Sequence, residues 1–259
     1  MKMAVNESSV FIVTGASRGL GFNIAEKLLS APISANVVAV ARSQIGLAKL
    51  SKKFPGQVES VVGDISDYKT GSKAVKTAIE TFGKINGIVF NAAVIHPIST
   101  IAETDINEFK KLFDINFFSI LATLKDAIPY LRQSKGRVLL VSSEASYESH
   151  FYGWEAYGSS KACVNHLAAT LAVEEPDITA VSVDPGVMDT SMQEEIRTQH
   201  GGSMRSDHYE YLAKIKEEGT IEPTNAPATV ISNLVVHAPK ELSGKYHAFN
   251  SPELAQYLN

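Results

Sequence analysis

Short apolar runs alternate along the chain with longer segments in which apolar residues recur every three or four positions. The short runs contain few charges, as expected for strands that are covered on both faces. They predict strands at Val10–Thr14, Val37–Ala41, Gln57–Val62, Gly87–Phe90, Arg137–Val141, Thr179–Val183 and Tyr246–Phe249. The longer segments predict helices at Leu20–Ser30, Gln44–Phe54, Lys69–Phe82, Ile106–Leu131, Glu155–Glu174 and Ala226–Val236. This alternation predicts an α/β fold with a parallel sheet and right-handed crossovers.

The chain has no internal repeat, low-complexity segment or linker, so we predict one domain over residues 1–259. The segment at about 188–223 is polar, contains the pair Gly201-Gly202 and follows the sixth strand, where we expect an inserted lid. Pro129 lies near the C-terminal end of the long fourth helix, and we expect it to kink or end that helix.

Composition and charge exclude several classes of protein. A chain of 259 residues with 44% hydrophobic residues can bury a sizeable core. Its net charge of −4 gives no basic footprint for nucleic acid. The single cysteine, Cys163, cannot form an internal disulfide and is expected to be a packing residue. We see neither a membrane span nor a signal peptide, predict no metal site, and expect a cytoplasmic protein.

Three glycines, Gly15, Gly19 and Gly21, follow the first strand and precede the first helix. Glycine lets a backbone approach a phosphate closely, and a helix N-terminus offers unpaired N–H groups and a positive dipole end. The spacing G-x-x-x-G-x-G differs from the common dinucleotide fingerprint. The motif therefore predicts a phosphate-binding turn, with a glycine-rich turn that binds no ligand as the alternative.

Tyr157 and Lys161 lie four residues apart on a predicted helix, so their side chains share one face. A tyrosine hydroxyl normally titrates near pH ~10, and a nearby positive charge lowers that value. We therefore expect Lys161 to lower the pKa of Tyr157 and make it useful for acid–base chemistry near neutral pH. The pair Ser142-Ser143 precedes them, but this spacing alone also occurs by chance on surface helices.

The glycine turn and the Tyr157–Lys161 pair, in this order, resemble the short-chain dehydrogenase/reductase family over nearly the whole chain. The resemblance implies a single-domain Rossmann fold, doubly wound, with a seven-stranded parallel sheet in the order 3-2-1-4-5-6-7. It also implies a nicotinamide dinucleotide cofactor. The implied cofactor-binding residues are Gly15, Ser17, Arg18, Gly19, Leu20, Gly21, Asp64, Ile65, Asn91, Tyr157, Lys161, Pro185, Gly186, Val187 and Thr190.

The same resemblance assigns catalytic roles. Ser143 would hold a carbonyl oxygen, Tyr157 would protonate it, Lys161 would support Tyr157 and the nicotinamide ribose, and Asn116 would position a water in a proton relay. Tyr157 lies fourteen positions after Ser143, where the family commonly has a spacing of thirteen, so Ser142 remains an alternative to Ser143. A second departure is Ala93, where the family often has glycine.

Three of the implied roles have structural alternatives. Asn116 is alternatively a helix-interior amide that ties down a backbone distortion. Asp64 is alternatively the N-cap of a helix that opens near Ser66. Thr190 is alternatively the cap of a helix that carries Met192 to Ile196.

Charge near the second strand predicts the cofactor. NAD-binding sites commonly place an acidic residue about 20 residues beyond the glycines, on the ribose 2′-hydroxyl. Here Arg42 stands in that region, and no Asp or Glu occurs between Glu26 and Glu59. Arg42 and Arg18 suit a 2′-phosphate, so we predict NADP(H) rather than NAD(H). A solvated Arg42 at the strand end is the alternative.

The substrate prediction depends on five aromatic or histidine residues between Ser143 and Tyr157. These are Tyr147, His150, Phe151, Tyr152 and Trp154. They favour an aromatic or bulky carbonyl substrate, with Glu144, Phe151 and Trp154 as candidate contacts and a subunit contact as the alternative. The stretches Gly153–Tyr157 and Pro185–Gln193 resemble the branch that contains sepiapterin reductase and benzil reductase. That resemblance implies reduction of a vicinal dicarbonyl or a pterin side-chain ketone.

Two other functions remain open at this point. One is an NADP-sensing protein of the same fold without turnover, and the other is an NAD-dependent secondary-alcohol dehydrogenase. Resemblance to the family also implies a homodimer, with a tetramer as the alternative, formed through the helices at Ile106–Leu131 and Glu155–Glu174.

Overall fold

The computed structural model describes residues 8–148, 151–200 and 204–258. Within these residues, seven strands form one sheet in the order β3-β2-β1-β4-β5-β6-β7, and every neighbouring pair is parallel. The strands are β1 (Val10–Thr14), β2 (Asn36–Ala41), β3 (Val58–Val62), β4 (Gly87–Phe90), β5 (Arg137–Val141), β6 (Thr179–Asp184) and β7 (Tyr246–Ala248). The predicted single-domain Rossmann fold and its strand order are confirmed.

Helices cover both faces of the sheet. They are α1 (Gly19–Leu29), α2 (Gln44–Lys53), α3 (Tyr68–Phe82), α4 (Ile106–Phe113), α5 (Ser119–Ser134), α6 (Glu155–Glu174), α7 (Ser191–Gln199), α8 (Ser206–Glu217) and α9 (Asn225–His237). Short 3₁₀ turns occur at Glu144–Ser146, Lys240–Leu242 and Pro252–Tyr257. None of the helices in the described ranges is long and apolar enough to cross a membrane.

The alternation of side chains along β1 shows how the two-sided core is built. Phe11 and Val13 pack on the side of α1, α2 and α9, whereas Val10 and Ile12 pack on the side of α3, α5 and α6. Successive strand residues point to opposite faces, so one apolar strand supplies both cores. The strand is fully covered, which explains why it is apolar throughout.

The predicted fourth helix is interrupted. A π-helical turn at Asp114–Phe118 separates α4 from α5, and Asn116 lies within it. Such turns insert an extra residue into a helix and often occur at functional sites. Pro129 lies inside α5, which continues to Ser134, so of the two expected effects, a kink or an end, the end of the helix at this proline is wrong.

The segment after β6 contains two helices, α7 and α8, of which only the first was foreseen. Ile196 of α7 and Leu212 of α8 pack with Trp154, Tyr157 and neighbouring residues in a third apolar cluster. At the base of the segment, Met188 pairs with Glu222 in an isolated β-bridge, and Lys216 forms a salt bridge with Asp189 at 2.7 Å. The segment therefore packs against the start of α6, where the candidate catalytic residues lie.

Candidate active site

The three glycines between β1 and α1 occupy positions that other residues fit poorly. Gly15 and Gly19 have φ angles of +71° and +55°, in the region that favours glycine. A Cβ on Gly21 would lie 2.4 Å from the carbonyl oxygen of Gly15 and 2.5 Å from Nδ2 of Asn91. The first turn of α1 holds no acidic residue. The turn thus presents bare backbone and a helix N-terminus, as an anion requires.

Asn91, directly after β4, forms hydrogen bonds with Thr14 at the start of this turn. Its Nδ2 donates a hydrogen bond to the carbonyl oxygen of Thr14 at 3.0 Å. The backbone N–H groups of Asn91 and Ala92 donate to Oγ1 of Thr14 at 3.0 and 3.1 Å. These bonds join the carboxyl ends of β1 and β4, where the strand order reverses and where ligands bind in open α/β sheets.

The glycine turn and the Tyr157–Lys161 pair open into the same cavity, which has a volume of about 500 Å³. All of the predicted cofactor-binding residues except Gly21 line this cavity. Gly21 lies beneath the turn and keeps its backbone close-packed. Gly46 of α2, which the sequence reasoning missed, has a similar role, because its Cβ would lie 2.0 Å from the carbonyl oxygen of Ser17.

Two arginines stand at one end of the cavity. Arg18 and Arg42 are both exposed and both line it. Nη1 of Arg42 lies 3.9 Å from Oδ2 of Asp64, and both side chains remain largely in water. Exposed pairs of this kind contribute little free energy, so Arg42 remains available to another anion.

The carboxylate of Asp64 accepts hydrogen bonds from Ser66 and does not cap a helix. Its Oδ1 accepts bonds from the backbone N–H of Ser66 at 2.9 Å and from Oγ of Ser66 at 2.8 Å. Burial alone would raise the pKa of Asp64, but these bonds and the charge of Arg42 hold it below the ordinary value. The cap of α3 is Asp67, which accepts from Lys69 N, so the alternative of Asp64 as helix cap is wrong.

Ser143 and Tyr157 meet at the other end of the cavity. The two hydroxyl groups are joined by a hydrogen bond. Ser143 also accepts a bond from the backbone N–H of Ala145 at 3.3 Å and so caps a short 3₁₀ turn. Ser142 is buried, and its Oγ has no hydrogen-bond partner among the described residues. The extra residue in the connecting loop therefore leaves Ser143, not Ser142, facing Tyr157.

Lys161 lies below Tyr157, but its effect differs from the prediction. Its Nζ donates a hydrogen bond to the carbonyl oxygen of Val141 at 2.7 Å and lies 5.5 Å from the centroid of the Tyr157 ring. Burial raises the pKa of Tyr157 and the charge of Asp184 raises it further, although the bond with Ser143 opposes this. The predicted lowering of the Tyr157 pKa is therefore wrong, because burial and the charge of Asp184 outweigh the bond with Ser143.

Burial also changes the pKa of Lys161. It lowers the pKa of Lys161 to about 8, while the negative charge of Asp184 opposes the shift. At neutral pH, the pair thus consists of a protonated phenol and a mostly protonated ammonium. This is the protonation state that a proton donor to a newly reduced oxygen needs.

The side-chain amide of Asn116 forms hydrogen bonds with Val94 and Ser160. Its Nδ2 donates to the carbonyl oxygen of Val94 at 2.9 Å and to Oγ of Ser160 at 3.2 Å, and its Oδ1 accepts from the N–H of Val94 at 2.9 Å. Both amide hydrogens are used and the residue is fully buried. The structure therefore favours the alternative that Asn116 ties down the π-helical turn, since no side-chain N–H remains for a relay.

The aromatic residues between Ser143 and Tyr157 divide into two groups. Phe151 and Trp154 line the cavity, with their rings stacked at 5.1 Å. Tyr147 and Tyr152 are exposed and lie outside it, so the expectation of one aromatic cluster is wrong for these two. His150 lies outside the described residues. Glu144 lines the cavity mouth with an exposed side chain.

Some residues that line the cavity were not predicted from the sequence. His208 of α8 packs edge-on to Phe151 at 5.2 Å and tilted to Trp154 at 5.5 Å. Met192, Gln193, Ile196 and Leu212 also face the cavity from α7 and α8. Their segment is polar overall, and only its apolar residues at helical spacing could have indicated this role.

Thr190 lies over the glycine turn. It occupies the N-cap position of α7, but its side chain makes no capping hydrogen bond. Its Cγ2 would lie 3.6 Å from a Cβ on Gly19. The hydroxyl of Thr190 therefore makes no capping bond to α7, and its contact with a ligand stays a prediction.

These features fit a nicotinamide dinucleotide. A turn without room for a Cβ, an open helix N-terminus and two arginines lie at one end of a single cavity, and paired hydroxyls lie at the other. In the parts of the chain that the structure describes, no three His, Cys, Asp or Glu side chains are grouped so that they could hold a metal ion.

Comparison with known proteins identifies the family. Residues 9–201 match the family described as short chain dehydrogenase. The chain belongs to this family. It is therefore an oxidoreductase of the short-chain dehydrogenase/reductase type, a family that uses NAD or NADP.

Several relatives cover nearly the full length of the chain. An uncharacterized oxidoreductase of Saccharomyces cerevisiae is 41% identical over 96% of this chain and 98% of its own. A benzil reductase ((S)-benzoin forming) of the same yeast is 35% identical over 95% of this chain and 97% of its own. The crystal structure of a short-chain dehydrogenase/reductase from this yeast superposes with a TM-score of 0.94, at 40% identity, over 97% of this chain and 100% of that one. The resemblance to the benzil reductase branch is thus confirmed.

Proposed function

We propose that the protein is an NADPH-dependent carbonyl reductase whose substrates are ketones with aromatic or bulky groups, and vicinal dicarbonyls such as benzil in particular. The observation that carries this proposal is the hydrogen-bonded pair of Ser143 and Tyr157 above the buried Lys161, in the cavity that also contains the glycine turn. A pterin side-chain ketone is the second substrate class that the sepiapterin reductase resemblance implies.

The choice of NADPH is supported by Arg18 and Arg42. Both line the cavity beyond the glycine turn, and a guanidinium recognises phosphate through two parallel hydrogen bonds. The acidic residue near them, Asp64, already accepts two bonds from Ser66. An exposed arginine with a weakly held partner suits the extra phosphate of NADP better than the hydroxyl of NAD.

The proposed reaction uses the chain's own groups as follows. Ser143 and Tyr157 both orient their hydroxyls at one wall of the cavity, where they would hold a carbonyl oxygen. The hydride for the carbonyl carbon would come from a reduced nicotinamide when the cofactor is bound. Tyr157 gives its proton to the oxygen, so that the carbonyl becomes an alcohol. Lys161, mostly protonated at neutral pH, stabilises the phenolate that remains.

The substrate class is supported by the walls of the cavity. Phe151, Trp154 and His208 form a ring cluster next to Tyr157, whose own ring packs edge-on to Trp154 at 5.8 Å. Flat aromatic surfaces provide large apolar contact area for an aromatic substrate. The similarity to a benzil reductase supports the same class.

The test is a carbonyl panel assayed with NADPH and NADH. We expect NADPH oxidation with benzil and other diketones, and slower turnover with small aliphatic ketones. Turnover of a sugar or an acyl thioester without activity on diketones would contradict the substrate class. Binding of NADPH without turnover of any carbonyl would instead favour the sensing protein, and oxidation of secondary alcohols with NAD would favour the dehydrogenase.

A further inference from the structure

Asp184, the last residue of β6, is a buried carboxylate that the proposed reaction does not use. One oxygen accepts a hydrogen bond from the backbone N–H of Gly186 at 2.9 Å. The other accepts from the hydroxyl of Tyr246 at 3.3 Å, and the backbone N–H of Glu144 also donates to the carboxylate. Asp184 thereby joins the turn that carries Ser143, the segment that leads to Thr190, and β7.

Its charge faces the acid–base pair. Asp184 lines the same cavity as Tyr157 and Lys161, and its charge acts on both of them. The other ionisable groups nearby are Tyr246 from β7 and the exposed Glu144 from the turn after β5. The negative charge of Asp184 raises the pKa of both Tyr157 and Lys161.

We propose that Asp184 is a positioning residue, which joins the Ser143 turn, the segment that leads to Thr190 and β7, and places a negative charge at the cavity that Tyr157 and Lys161 line. This role rests on the proposed carbonyl reductase function. A buried carboxylate costs free energy unless its oxygens are bonded, and here donors from the Ser143 turn, from the segment after β6 and from β7 meet that need. A neutral residue could join the loops, but it would supply no charge.

The sign of the effect follows from the charge. A negative group favours the protonated form of any neighbour, whether phenol or ammonium. Removal of the charge should therefore lower the pKa of both Tyr157 and Lys161. The alkaline loss of reductase activity should shift towards lower pH together with Lys161, because its pKa of about 8 is the lower of the two and its charge supports the proton transfer from Tyr157.

The test compares Asp184→Asn with the unaltered protein in the absence of cofactor. Carbon-13 NMR of lysine-labelled protein follows the titration of Lys161, and Lys161→Arg identifies its resonance. We expect the Lys161 pKa of the variant to fall by roughly one unit, the shift that loss of a nearby charge typically causes. If Asp184→Asn does not fold, Asp184→Ser, which is also neutral but smaller, allows the same measurement of the Lys161 pKa.

Tyr246→Phe is the matched control, because it removes one hydrogen bond from Asp184 and leaves the charge in place. We expect the pKa of Lys161 to be unchanged in this variant. An unchanged or raised Lys161 pKa in Asp184→Asn would overturn the proposal.

A second readout separates this proposal from the proposed function. The pH dependence of NADPH oxidation should show its alkaline limb at lower pH in Asp184→Asn, whereas a purely structural loss would lower the rate at every pH equally. If the unaltered protein reduces no carbonyl, the proposed function fails, yet the NMR titration still decides the role of Asp184.

Discussion

The hydroxyl groups of Ser143 and Tyr157 share a hydrogen bond, although the residues are fourteen positions apart and a 3₁₀ turn lies between them along the chain. Both residues line the cavity, and Tyr157 carries the proton that the proposed reaction needs. Burial and the charge of Asp184 keep that proton in place at neutral pH. A protonated phenol next to a second hydroxyl can hold and then protonate one oxygen.

Replacement of Tyr157 by phenylalanine should nearly abolish turnover. The ring and its packing remain, but the proton donor is lost, and general acid catalysis typically contributes roughly 10²- to 10⁴-fold. Steady-state rates with NADPH and benzil measure the loss, and fluorescence titration should show that NADPH still binds. Tyr152→Phe, on an exposed residue outside the cavity, should leave both unchanged. A Tyr157→Phe variant with most of its rate would refute the assignment.

Arg42→Asp should weaken NADPH binding far more than NADH binding. The change removes a cation that we assign to the 2′-phosphate and adds repulsion, so we expect a loss of roughly 10- to 100-fold for NADPH, as for one charge-assisted hydrogen bond. Dissociation constants for both cofactors provide the measurement. Lys73→Asp alters the net charge equally at an exposed position on α3 and should change neither constant. Equal losses for both cofactors would remove the argument for NADPH.

Gly21→Ala should destabilise the protein, although alanine normally favours a helix over glycine. The added Cβ would lie 2.4 Å from the carbonyl oxygen of Gly15, so the turn must shift, and such overpacking costs roughly 1–3 kcal/mol. Denaturant unfolding and NADPH affinity should both show a loss. Gly56→Ala, where a Cβ meets no atom within 4 Å, should leave NADPH affinity unchanged. An unaltered NADPH affinity in Gly21→Ala would contradict the inference that the turn leaves no room for a Cβ at this position.

Lys161→Met should change how stability depends on pH. Burial lowers the folded-state pKa of Lys161 to about 8 from the ordinary 10.5, so above pH 8 the unfolded chain binds more protons than the folded one. The unaltered protein should therefore gain stability, relative to the methionine variant, as pH rises from 8 to about 10. Urea unfolding at several pH values measures the difference. A difference independent of pH would mean that Lys161 is not a buried cation.

Asn116→Ala should lower the free energy of unfolding by roughly 2–4 kcal/mol, because the backbone N–H and carbonyl of Val94 lose their partner. Denaturant unfolding tests this. Asn107→Ala, at an exposed position near the start of α4, should change stability by less than ~0.5 kcal/mol. If Asn116→Ala kept full stability but lost turnover, a relay role would be favoured over the structural one.

Sequence patterns predicted the parts of the fold that depend on local chemistry. Apolar runs without charges locate the strands, since each strand is covered on both faces, and Gly15 and Gly19 mark a turn that needs positive φ angles. Tyr157 and Lys161 share a helical face whatever surrounds them. The strand order came from the family resemblance and not from the residues themselves.

Tertiary structure decided what depends on groups that are distant along the chain. The pKa of Tyr157 rises rather than falls, because burial and the charge of Asp184 act on it through space, and neither is visible in a spacing of four residues. Asn116 is tied to Val94 by a π-helical turn that no periodicity predicts, and His208 reaches the cavity only because α8 folds back over it. The sequence by itself therefore determined which side chains can do the chemistry, whereas packing determined their protonation and surroundings, since electrostatic energies depend on burial and distance in space.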